Sequence, residues 1–183
     1  MLGPKLARLC TDDFAKQAVV DWARSLSMGA ELTPEEWARA GEIEAVFEVM
    51  YLMAAADGEL AKDELLLLSQ SLGAIIEACE SAGGSRYELS LVLLKLGDIV
   101  GRFASALSSE GLDARIGLLP SRLESASARR FALSLAAGVA FVDDFVAEGE
   151  MHALDRVAKA LGFDHDDALR VLREAHQVFG AEA

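Results

Sequence analysis

Cysteine is almost missing from this chain. Cys10 and Cys79 are the only two among 183 residues. Neither belongs to a Cys-x-x-Cys pair, and two thiols make no disulfide framework. Cys79 falls on the apolar side of a predicted helix and reads as a small core hydrophobe. Proline is also scarce, at three residues. Val and Ile are scattered and never alternate with polar residues. Both shortages argue against strands and leave an all-helical chain as the expectation.

Positive charge is in deficit as well. Seventeen Lys and Arg stand against thirty Asp and Glu, a net charge of −13. Such a surface repels phosphate backbones, which argues against nucleic-acid binding. It suits solubility, and it can attract cations or a basic protein partner. The longest uncharged apolar run, from Phe131 to Val142, is about 12 residues, too short to span a bilayer. The opening Met-Leu-Gly-Pro-Lys lacks the apolar core of a signal peptide. A cytoplasmic protein without direct membrane insertion is therefore expected. No His-Glu-x-x-His pair, glycine-rich phosphate loop or serine elbow is present. Nothing implies a substrate, and a non-enzymatic role is expected. A metal-dependent hydrolase is the distant alternative.

What the chain does hold is helical periodicity, punctuated by caps. The hydrophobic share is 52%, enough for one domain with a substantial core. Thr11 can cap a first helix that places Phe14, Ala18, Trp22 and Leu26 on one side. Thr33-Pro34-Glu35-Glu36 predicts a capping box and a second helix running to about Ala56. Its expected face is Ile43, Val46, Phe47, Met50, Met53 and Ala54. A third helix, from about Ala61 to Glu80, is apolar all round near Leu65–Leu68 and is expected to be central. Ser85–Glu88 opens a fourth helix, with Leu89, Val92, Leu93, Leu96, Val100 and Phe103 inward. Gly97 and Gly101 on that helix suit a close helix crossing, with a homodimer contact as the alternative. Residues 109–120 leave room for one short helix, and Ser121–Glu124 reads as a third capping box.

A long helix then carries Ala128, Phe131, Leu135, Gly138, Val139 and Val142. The next runs from about Glu148 to Leu161, with Met151, Leu154, Ala158 and Leu161 inward, and Gly162 ends it in the left-handed conformation. Asp164 caps the last helix, with Leu169, Leu172, Ala175 and Phe179 inward. The expected architecture is all-α: a single-domain bundle of about eight helices.

The stretch Ala54-Ala-Ala-Asp57-Gly58-Glu59-Leu60-Ala61-Lys62-Asp63-Glu64-Leu65 organises this bundle. A weaker copy returns as Ala140-Phe-Val-Asp143-Asp144-Phe145-Val146-Ala147-Glu148-Gly149-Glu150-Met151. In each, an Asp follows an apolar helix and a Glu comes seven positions later. Aligned with a calcium loop, Asp57, Gly58, Leu60 and Glu64 match positions 5, 6, 8 and 12, while Met53 and Ala55 replace the ligands at 1 and 3. The second copy keeps Asp143, Val146 and Glu150 but has Asp144 in place of the glycine. Each copy is half a site.

Two half-sites packed face to face would pool Asp57, Glu64, Asp143 and Glu150. Glu59, Asp63, Asp144 and Glu148 would stand nearby. An all-carboxylate donor set suits Ca²⁺, Mg²⁺ or Mn²⁺ better than Zn²⁺. A second reading stays open: the same carboxylates cap the turns, since Ala61 and Ala147 occupy the expected cap positions. The three histidines are less promising. His152 points away from Glu150, His165 reads as part of a solvated helix start, and His176 as a semi-buried residue.

An apolar helix, then Ala-Ala-Ala-Asp-Gly-Glu-Leu, then an acidic helix start, resembles the TerB-like family of tellurite-resistance and DjlA-type co-chaperone domains. The second turn, with Glu150 and the later Ala160-Leu161-Gly162, looks like that family's second repeat. The resemblance covers roughly residues 40–180 and departs at Ala61, Asp144 and Ala147. It implies a duplicated all-helical fold, with repeat 1 at about 33–80 and repeat 2 at about 121–162. Residues 1–32 form an amino-terminal helical extension in this scheme. It further implies a divalent-cation patch at Asp57, Glu59, Glu64, Asp143 and Glu150, to which the turn itself adds Asp144 as a candidate ligand, and a protein partner in a bacterial stress-response complex. A metal-free interaction scaffold with an acidic docking face is the alternative.

Overall fold

The best-specified helix start in the sequence is also the start of the helix on which five of the other described helices pack. In the computed structural model, the Thr33 backbone is extended (φ −67°, ψ 160°) and its hydroxyl accepts from the Glu36 N–H at 3.3 Å. The Glu36 carboxylate in turn accepts from the Thr33 N–H at 2.7 Å, completing the capping box. Pro34 follows at the position where its fixed φ and missing N–H cost nothing.

The structure describes residues 13–27, 29–56, 86–141 and 148–180, with Gly73 and Ile76 as isolated positions. Seven helices lie within them: α1 (Asp13–Ser25), α2 (Pro34–Ala54), α3 (Arg86–Glu110), α4 (Leu112–Arg122), α5 (Ala126–Ala140), α6 (Glu148–Ala160) and α7 (His165–Gly180). No strand occurs among the described residues, so the all-α expectation is met. The expected third helix, Cys10, Cys79 and the Thr11 cap lie outside them; Gly73 and Ile76, within the expected third helix, are both helical.

α2 packs against α1, α3, α4, α5 and α6. This explains a departure from the expected single apolar face. Ala45, Val49, Tyr51 and Leu52 are buried along with Ile43, Val46, Phe47, Met50 and Met53. With neighbours on every side, each such side chain contributes roughly 1.5–3 kcal/mol for the larger aliphatics. Trp22 of α1 stacks on Phe47 at 5.0 Å, and Tyr51 meets Phe103 of α3 at 5.9 Å.

Other expectations shift in detail. Leu93 is 46% exposed, and Ile99 takes the inward place on α3. Gly97 and Gly101 are exposed with no heavy atom within 4 Å of where a Cβ would stand, so no close helix crossing among the described residues uses them. Residues 109–120 are more helical than expected. One residue, Gly111 at φ +83°, separates α3 from α4. Only glycine adopts that conformation without strain. Pro120 sits in the last turn of α4. Ser121 is no cap: its hydroxyl donates back to the Leu118 carbonyl at 2.8 Å. The cap of α5 is Ser125, which accepts from the Ala128 N–H at 3.1 Å.

Met151 is 49% exposed, while Ala153 and Val157 join Leu154, Ala158 and Leu161 in the core. Gly162 does end α6 at φ +82°, with the Phe163 N–H returning to the Ala158 carbonyl at 3.1 Å. Asp164 does cap α7 through the Asp167 N–H at 2.8 Å. On α7 Ala175 is buried as expected, joined by Ala168 and Val171, while Leu169 and Leu172 are only half-buried. No helix among the described residues is long and apolar enough to cross a membrane.

Candidate functional site

Of the six carboxylates expected to hold a cation, Asp57, Glu59, Glu64, Asp143 and Asp144 lie outside the described residues. Glu150 lies within them, half-buried in the first turn of α6. Glu148 opens the same helix and is exposed. Among the described residues no group of three or more His, Cys, Asp or Glu stands close enough to hold a metal ion. Three of the helices expected around the two turns are among the described elements. α2 leads toward Asp57, α5 leads toward Asp143, and α6 follows the second turn. These three helices pack on one another directly.

The register of α5 on α2 is marked by a contact the sequence did not announce. Glu42, in the third turn of α2, is 8% exposed. Its carboxylate accepts from the Ser125 N–H at 2.6 Å and from the Ser125 hydroxyl at 2.9 Å. This is a capping box with its acidic member supplied by another helix. It satisfies a helix-start N–H that no local side chain reaches.

Two further carboxylates are buried beside α2. Asp21 of α1 is fully buried and accepts from Arg39 Nε at 2.6 Å and from Gln17 at 3.1 Å. Glu48 is 1% exposed and accepts from Arg115 Nε at 2.7 Å and Nη2 at 2.5 Å, and from Arg122 on its other oxygen. Glu110 also pairs with Arg115, at 3.0 Å. Burial alone would lower the Arg115 pKa, but its bonds to Glu48 and Glu110 push it above the ordinary value. Burial raises the Tyr51 phenol. The Glu36 carboxyl is lowered by the Thr33 N–H and by Arg24 at 2.7 Å.

The sequence reading missed these three acids, although a signal existed. Glu48 stands in Val46-Phe47-Glu48-Val49-Met50. A charge inside such a run must find a partner. Which arginines answer it is a matter of tertiary structure.

On the solvent side of the same helix lies a groove of about 320 Å³, lined by Trp37, Gly41, Glu42, Glu44, Arg122 and Glu124 among others. Trp37 is 52% exposed. Glu44 accepts from the Trp22 indole N–H at 3.2 Å and pairs with Arg102 at 3.1 Å. His152, His165 and His176 are all exposed, so His176 is not the semi-buried residue expected. It meets Phe141 edge-on at 5.5 Å.

No protein-family model, curated protein or solved structure matches the chain.

Proposed function

We propose that this chain is a non-enzymatic helical module of the TerB-like kind that binds a divalent cation through its paired acidic turns. Asp57, Glu59 and Glu64 would come from the first turn, and Asp143, Asp144 and Glu150 from the second. The observation that carries this reading is the mutual packing of α2, α5 and α6. The helix entering the first turn shares one core with the two helices that flank the second. The Glu42–Ser125 contact fixes where α5 begins along α2. An all-oxygen, all-acidic donor set suits a hard cation such as Ca²⁺, Mg²⁺ or Mn²⁺. The same packing supports a duplication of two helical hairpins. A role in a bacterial stress-response complex follows from the resemblance alone.

The test is a thermal melt with and without millimolar Ca²⁺, Mg²⁺ and Mn²⁺. A cation present at a hundred times its dissociation constant should raise the midpoint by about 5–10 °C. The Asp57→Ala/Asp143→Ala variant should lose that rise. A variant that is merely less stable, with no cation effect in the parent, would make these residues turn caps.

A further inference from the structure

We propose that the groove beside Trp37 docks an arginine side chain presented by a basic segment of a partner protein, independently of the acidic turns. Three features of the groove converge on this ligand. Its wall is a large aromatic ring left half in water, whose face attracts a cation. The lining carries three carboxylates, Glu42, Glu44 and Glu124, against one guanidinium, Arg122. Arg122 is already paired with Glu48, Glu44 with Arg102, and Glu42 with Ser125. Glu124 is exposed and makes no hydrogen bond or ion pair among the described residues. It is the carboxylate left to meet an incoming charge.

The third feature is Gly41. It lies in the interior of a 21-residue helix, where glycine is a poor choice. No neighbour forces it, since a Cβ there would meet nothing within 4 Å. Its missing side chain leaves the groove open between Trp37 and the carboxylates. At about 320 Å³ the space is at the low end for a small-ligand cleft, ~300–1,000 Å³, and suits one long side chain rather than a docked helix. Arginine fits better than lysine, because a planar guanidinium can stack on the indole while its edge forks to a carboxylate. The net charge of −13 would steer a basic segment toward the molecule.

The experiment is a titration of the ¹⁵N-labelled chain with a capped (Gly-Arg)₄ peptide, with (Gly-Gln)₄ as the neutral control. The two tryptophans give two indole resonances, distinguished by Trp37→Phe. Saturable binding should move the Trp37 resonance, and the neutral peptide should not. Trp37→Ala should weaken binding about ten-fold and Glu124→Gln about five-fold. Gly41→Gln, which fills the groove on a helix it does not strain, should abolish it. The Asp57→Ala/Asp143→Ala variant should bind as the parent does, with or without chelator, so failure of the cation reading leaves this one standing. Absence of saturable binding would overturn the proposal. So would binding unchanged by Trp37→Ala and Gly41→Gln, or lost with Asp57 and Asp143.

Discussion

The two halves of α2 are one helix in two environments. Pro34–Gly41 is mostly exposed, with only Ala40 buried. Glu42–Ala54 is buried at every position except Glu44. The first half is held by local devices, the Thr33 cap and Pro34, and by two ion pairs to α1, Arg39–Asp21 and Glu36–Arg24. The second is held by every helix packed around it. The first half can therefore change its surface without changing the fold, and the groove opens where it meets the second, between Trp37 and Glu44. The second half cannot, and its charged member, Glu48, is the point at which the contrast can be tested hardest.

Glu48→Ala should be the most damaging single change in α2. It leaves Arg115 and Arg122 facing a buried site without their shared acid, a loss of about 3–5 kcal/mol in urea or thermal unfolding. A Glu48→Leu/Arg115→Met/Arg122→Leu variant should recover much of that loss, because an apolar trio of similar volume carries no desolvation cost. If Glu48→Ala unfolds no more easily than a surface variant, the difference between the two halves is not energetic.

The caps give a finer test. Thr33→Ala and Ser125→Ala should each cost about 0.5–2 kcal/mol. Thr33 is capped within its own turn, whereas Ser125 shares Glu42 across two helices. A double-mutant cycle of Ser125→Ala with Glu42→Gln should show coupling, and one of Thr33→Ala with Glu42→Gln should be additive.

These caps also mark how far the sequence was legible. Thr33, Gly162 and Asp164 act within three or four residues of themselves, and local spacing revealed them. Ser125 was missed in favour of Ser121, because the acid that completes its cap is 83 residues away. The inward stripes of α6 and α7 were read from the largest apolar side chains. The buried residues also include Ala153 and Ala168, side chains too small to stand out in a hydrophobic pattern. The groove could not be read at all, since it joins the start of α2 to the end of α4. Of the expected cation site, the structure places Glu150 alone.

The smallest expected effect concerns acid. The Glu36 carboxyl lies below its ordinary pKa because of the Thr33 N–H and Arg24. A carboxyl with a depressed folded-state pKa stabilises fully above its unfolded value, near 4.5, and that contribution is lost as pH falls through the lower folded value. Glu36→Gln should flatten the acid limb of a stability–pH curve and leave the neutral region displaced by a constant amount. An unchanged acid limb would mean the capping box at the start of α2 contributes nothing measurable there.

The shared cap at Ser125 has a consequence for how the molecule assembles. A helix whose first turn is completed by its own neighbours in sequence can begin to form alone. α5 has its own Ser125 cap, but the Ser125 N–H gains the Glu42 carboxylate only when a segment made 83 residues earlier has come into place. Its full stabilisation is then an event of assembly, delayed by the closure of a long loop. Partly built forms that contain a completed α5 without α2 are disfavoured, and the bundle is pushed toward forming, and coming apart, as one unit.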